Sequence, residues 1–221
     1  ETNVPAGLTD IVAINAGGEN SVALRANGSV VAWGYNGTGQ TNVPVDLSNV
    51  VAVAAGGGHS FALKSDGTVV VWGATNSYGL GNIPAEATNI VAIGAGNNHC
   101  LALRKDGIVV AWGYWYNGET NIPTGLQNVT TIACGSFHNL ALVGGSPFDS
   151  PVLAANPTWS TNGFKLTVPT RSGRVYQLEY KANLSDSNWI ALPLVAGTGR
   201  ALTLTDPAAT GTQRFYRVRQ W

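Results

Sequence analysis

Residues 49–73, NVVAVAAGGGHSFALKSDGTVVVWG, decide the fold. They open on the apolar run Val50, Val51, Ala52, Val53. After the glycines, Phe61 and Leu63 alternate with Ser60, Ala62 and Lys64, and a period of two marks strands. Asp66-Gly67 then supplies a pair that tolerates positive φ in a two-residue hairpin turn. The closing run VVVWG is apolar on both faces, as expected of a strand sandwiched between neighbouring sheets. The stretch predicts a small sheet of short strands.

The same unit returns along the chain. Trp33, Trp72 and Trp112 recur 39 and 40 residues apart, each followed by Gly (Gly34, Gly73, Gly113). Pro5, Pro44, Pro84 and Pro123 keep that phase, as do Gly17, Gly56, Gly96 and Gly135. Asn27-Gly28 and Asp106-Gly107 repeat the turn. No helical period with caps runs anywhere, and small sheets repeated at about 40 residues mean a β-propeller or a β-solenoid. The fourth unit, VTTIACGSFHNLALVGG (129–145), stops before a VVAWG strand, and the chain opens on ETNVP, the segment that elsewhere follows one.

AGGGHSFALKSDGTVVVWG, followed in the repeats by connections such as GQTNVP, resembles the repeats of the regulator of chromosome condensation family. Within that family it is most similar to the secreted bacterial propellers that inhibit β-lactamases. The resemblance covers residues 1 to about 145 and implies a propeller fold, which in this family normally closes with seven blades. With about 3.5 repeats of 39–40 residues, this chain is expected to form an open arc whose sheet edges are bare. Two copies would together approach one ring.

From Ser146 the composition changes, and 146–150 read as a linker. Residues 151–221 hold short alternating runs, FKLTV (164–168), VYQLEY (175–180), ALTL (201–204) and FYRV (215–218), separated by turns. A small β-sandwich is the natural reading. RVYQLEYKANLSDSNWIAL and the closing RFYRVRQW resemble a fibronectin type III-like domain of bacterial exported proteins. The fold class expected is therefore all-β: a partial β-propeller over 1–145, the linker, and the sandwich over 151–221.

Twelve Lys+Arg balance twelve Asp+Glu, and charged residues are 11% of the 221. So neutral a chain is a poor nucleic-acid binder, because phosphate neutralisation supplies most of that affinity. No apolar run approaches the ~20 residues of a membrane span, so membrane insertion is not expected. The balance is uneven: residues 1–145 carry four basic residues against eight acids, residues 146–221 eight against four. Opposite-signed halves suit head-to-tail association, although charge also varies between modules without any contact. Methionine is absent and Glu1 comes first, which fits an exported chain with its leader removed, or a processed piece.

His59, His99 and His138 hold one repeat position, taken by Asn20 in the first unit. Interchange with Asn reads as structural hydrogen bonding, and no carboxylate or second His stands at metal spacing. No nucleophile elbow, phosphate loop or calcium motif is present, so no catalytic residue, cofactor or metal is expected, and the chain is read as a non-enzyme. Cys100 and Cys134 fall in successive units, and adjacent inner strands are expected to bring them within disulfide reach. Tyr35, Tyr78, Tyr114, Trp115 and Tyr116 lie in the loops after each Trp-Gly. Sheet cores do not need aromatics there, and Tyr and Trp dominate interface hot spots. The family resemblance likewise places binding on one face of loops; packing against the adjacent blade is the alternative. Trp33, Trp72 and Trp112 are assigned to the core.

The leading expectation is an extracellular or cell-surface, non-enzymatic protein that self-associates into an oligomer or filament through its open propeller edges and opposite charges. The alternative is a binding module that grips another protein or a glycan through the aromatic loops. Nucleotide exchange, the activity of the family's namesake, suits neither an exported chain nor so short an arc.

Overall fold

The computed structural model describes residues 3–144, 155–160, 163–183, 185–209 and 214–221. The expected linker at 146–150 lies outside them. Among the described residues every regular element is a strand. Three units each form an antiparallel three-stranded sheet. The first is β1 (Ile11–Ala16), β2 (Asn20–Arg25) and β3 (Val30–Gly34); the second is β4 (Val50–Ala55), β5 (His59–Lys64) and β6 (Val69–Gly73). The third is β7 (Ile90–Ala95), β8 (His99–Arg104) and β9 (Val109–Gly113). The fourth unit has two strands, β10 (Val129–Cys134) and β11 (Asn139–Val143). This is a partial β-propeller with an open arc.

The phase of the sequence is kept to the residue. Each first strand pairs with its second through a bulge at the same place, between Ile11 and Ala13, Val50 and Ala52, Ile90 and Ala92, and Val129 and Thr131. Just before these strands Asp10, Asn49, Asn89 and Asn128 all take positive φ, a conformation their short polar side chains tolerate. Their carbonyls accept the N–H that follows the second strand, as in Ser65 N to Asn49 O at 2.8 Å.

The hairpin turns differ from the two-residue form. Arg25 N donates to Ser29 O at 2.9 Å, leaving a three-residue loop in which Gly28 alone is left-handed (φ 80°). Asn27 instead accepts the Ser29 N–H on its side chain at 3.0 Å, and Asp66 and Asp106 do the same for Thr68 and Ile108. The acidic or amide residue is there to hold the turn by its side chain, and the glycine to turn the backbone.

The C-terminal module is a β-sandwich. One sheet orders β12 (Ala155–Ser160), β13 (Gly163–Pro169) and β16 (Ala201–Asp206); the other orders β15 (Ile190–Ala196), β14 (Val175–Lys181) and β17 (Phe215–Gln220). Leu166, Val168, Leu178 and Leu204 fill the space between the sheets. At one edge buried Asp206 receives Arg214 and, at 3.0 Å, the Tyr216 hydroxyl, while Tyr216 stacks on Phe164 with centroids 3.8 Å apart.

The sandwich is docked on the arc. Leu194 N donates to Ser65 O at 2.9 Å, and Val175, Leu194 and Trp221 join the buried cluster that contains Val51, Ile90, Val91 and Val129. Lys105 donates to Gln177 Oε1 at 2.9 Å and pairs with Glu179, which is fully buried and also receives Arg217 Nε at 2.6 Å. The seam thus joins a base of the acidic arc to an acid of the basic module, opposite to the sense of their net charges.

Candidate functional site

Every junction between blades uses one device. The residue at the histidine position reaches forward to the residue after the histidine position of the next blade. Asn20 Nδ2 donates to Ser60 Oγ at 3.0 Å, His59 Nε2 meets Cys100 Sγ at 3.4 Å, and His99 Nε2 meets Asn139 Oδ1 at 2.8 Å. Because Asn139 Nδ2 donates to Glu119 O at 2.6 Å, its Oδ1 is the acceptor, so His99 carries its proton on Nε2. These rings lie over Gly56, Gly96 and Gly135, where a Cβ would collide with His59, His99 and His138. That fixes the glycine at this point in each repeat. Burial, and then the neighbouring His99, lower His59 to about 4, so this ring is neutral in the junction.

A second contact completes the latch. Gln40 O accepts both Ser60 Oγ at 2.8 Å and Trp72 Nε1 at 3.0 Å. Leu80 O accepts Trp112 Nε1 at 2.9 Å. Glu119 O, the third of these carbonyls, accepts Asn139 alone among the described residues. Trp72 and Trp112 are buried in this way, 5% exposed each, and Phe61 meets Trp112 edge-on at 5.4 Å. Trp33 is only half-buried, which corrects its assignment to the core. The carbonyl that would cover it falls, by phase, at residue 1, outside the described residues.

The two cysteines are free. Middle strands aim this position backward, so Cys100 Sγ meets His59 of the second blade. Cys134 lies against Gly94 of the third blade. The expected bridge is therefore not formed. Burial, and then the nearby Cys134, raise the Cys100 thiol well above its usual range; burial raises Cys134 to about 12. Neither is a reactive thiolate at neutral pH.

Among the described residues each end blade lacks a neighbour on one side. Leu140 and Leu142 are 64% and 61% exposed, whereas Leu101 and Leu103, one repeat earlier, are 1% exposed each. At the other end Ile14 is 74% exposed where its counterpart Val53 is 9%. So the fourth blade presents the forward half of a junction (His138, Leu140, Leu142), and the first presents the backward half (Ile14, Ser21, Trp33).

Four of the five loop aromatics form one cluster. Tyr78 and Tyr114 meet edge-on at 4.9 Å, Tyr114 and Tyr116 lie 6.3 Å apart, and Trp115 is 6.3 Å from Tyr116. Trp115 and Tyr116 are 69% and 77% exposed. Tyr35 stands apart, folded back over Gly37 of its own loop. The loops leave the blades at the Gly73 and Gly113 end, while the sandwich covers the opposite end at Ser65 and Lys105. The aromatic face is thus left free by the sandwich. Around the axis at this same end, Gly17, Gly56, Asn97 and Ser136 line an open cleft of about 260 Å³. Among the described residues no group of three or more His, Cys, Asp or Glu could hold a metal.

Residues 11–40, 50–80 and 90–119 match the model of the regulator of chromosome condensation (RCC1) repeat. They are RCC1-like repeats. The matched segments are the first three blades with their buried turns, Gln40, Leu80 and Glu119 at or near each end. Among solved structures, the entire ectodomain of the receptor kinase CR4 from Physcomitrella patens is 24% identical with a TM-score of 0.53, matched over 76% of this chain and 49% of its own. Prp20p of Saccharomyces cerevisiae, a protein with binding properties to Gsp1p and histones, is 20% identical with a TM-score of 0.51, over 91% and 52%. The chain spans about half the length of the solved structures it matches. At such identities the likeness speaks for the fold. No curated protein matches the chain in sequence.

Proposed function

We propose that the chain is a non-enzymatic interaction module whose first partner is another copy of itself, the fourth blade of one copy resting on the first blade of the next. The observation that carries this is the exposure of Leu140 and Leu142, at positions the interior of the arc buries completely. Covering a leucine is worth about 2 kcal/mol, so even a few such residues favour association. Ser21, which occupies the place of Ser60 and Cys100, gives His138 the same partner type that Asn20 and His59 have. We place it outside the cell on the resemblance read in its sequence alone, of the repeats to secreted inhibitor propellers and of the C-terminal module to fibronectin type III-like domains. Light scattering on the purified chain is expected to show a mass that rises with concentration, and Leu140→Asp to return it to monomer. A monomer at every concentration overturns the proposal.

The aromatic cluster supports a second reading, contact with a foreign protein or glycan through Tyr78, Tyr114, Trp115 and Tyr116. Its exposed rings lie on the face that the sandwich leaves open. Trp115→Ala with Tyr116→Ala should abolish capture of such a partner and leave oligomer mass unchanged.

A further inference from the structure

The fourth blade differs from the others at its edge as well as its face. In the second blade Lys64 N donates to Thr68 O, and in the third Arg104 N donates to Ile108 O, so these positions and every second residue before them face the third strand. The intervening residues face the first strand, as His138 O does when it accepts Gly135 N at 2.9 Å. By the same alternation the N–H and C=O groups of Asn139, Ala141 and Val143 point away from β10. Among the described residues nothing pairs with that side of β11.

We propose that this side of β11 is an acceptor for an extended segment of another polypeptide, with the pattern Val-Val-Ala/Val-Trp-Gly, added antiparallel as a third strand. The register is set by the interior blades, where Cys100 faces Trp112, Ala102 faces Val110 and His99 faces Gly113. The incoming Trp therefore stands opposite Asn139 and its partner valine opposite Ala141. Its indole N–H reaches Glu119 O, which already holds the Asn139 side chain and has the second place that Gln40 O gives to Trp72. Backbone pairing supplies the affinity, and the indole under the buried Glu119 turn supplies the choice of sequence. The chain's own third strands are each paired within their blades, so a second copy has none to give without opening a blade. This edge is distinct from the blade face that joins copies, and neither proposal needs the other.

The test uses the whole chain and a labelled peptide GIVVAWG, the sequence of residues 107–113. Fluorescence anisotropy should show saturable binding, weakened about tenfold or more when the peptide Trp becomes Ala, the loss of one hydrogen bond and its ring contact. Ala141→Pro removes an outward N–H without touching the β10 ladder and should weaken binding by a similar factor. Hydrogen exchange controls for folding: the amides of Ala141 and Val143 exchange quickly in the free chain and slowly with peptide, while Leu140 and Leu142 are slow throughout. Absence of binding, or binding indifferent to Ala141→Pro in a folded variant, overturns the proposal. So does a slow Ala141 amide in the chain alone; if that protection grows with concentration, a second copy takes the edge instead.

Discussion

At the residue scale, one position in each repeat carries the junction chemistry. His59 has the ordinary pKa of about 6.5 when unfolded and about 4 when buried, so the unfolded chain binds its proton more readily. Its neutral form contributes fully above pH 6.5, and stability falls as pH drops from there toward 4. A shift of this size corresponds to about 3 kcal/mol. Thermal unfolding from pH 7 to pH 4 should show that loss, and His59→Asn, which copies the first repeat, should flatten it. The cysteines give a second expectation. Ellman titration should find both thiols slow in the native protein and two thiols after unfolding; no thiols would mean that Cys100 and Cys134 are bridged after all.

At the element scale, the indole N–H bonds give the blades their order. Trp72→Phe gives up the bond to Gln40 O and should cost about 1 kcal/mol or more in urea unfolding. Trp33→Phe should cost less, because the described residues give its indole no such acceptor. The blades were legible in the sequence because Trp, Pro and Gly recur in phase and because the bulge and turn demand the same residues each time. The latch was legible only in part. The histidine position stood out, but its partner varies as Ser60, Cys100 and Asn139, three side chains that differ in size and polarity and share only a heteroatom within reach of the ring or amide. The disulfide misled for a related reason: nearness of strands does not fix which way a side chain leans, and middle strands aim this position backward. Clustering of Tyr78, Tyr114, Trp115 and Tyr116 could be guessed from their shared loop position, whereas the isolation of Tyr35 depends on how its own loop folds.

At the scale of the whole molecule, the seam between arc and sandwich had no signal in the sequence, since Ser65 and Lys105 read as ordinary turn residues. Glu179 is buried among Lys105, Arg217 and Arg219. Glu179→Ala leaves three cations without their counter-charge and should lower stability by about 2 kcal/mol, less than a fully buried pair would lose because the cations partly reach water. Differential scanning calorimetry checks it, and a transition that splits in two would show the modules unfolding apart. The arc itself has two unlike ends, each carrying half of a junction that the interior repeats three times over.

Cysteine cross-linking tests that claim most directly. With Cys100 and Cys134 replaced by Ser, Ser21→Cys and His138→Cys put thiols at the two positions that touch across interior junctions. A short bismaleimide linker, which makes up the length that the imidazole ring gives up, should give a ladder of covalently joined copies that Leu140→Asp abolishes. A cross-link found only within single chains, or none in a folded protein, would contradict the account.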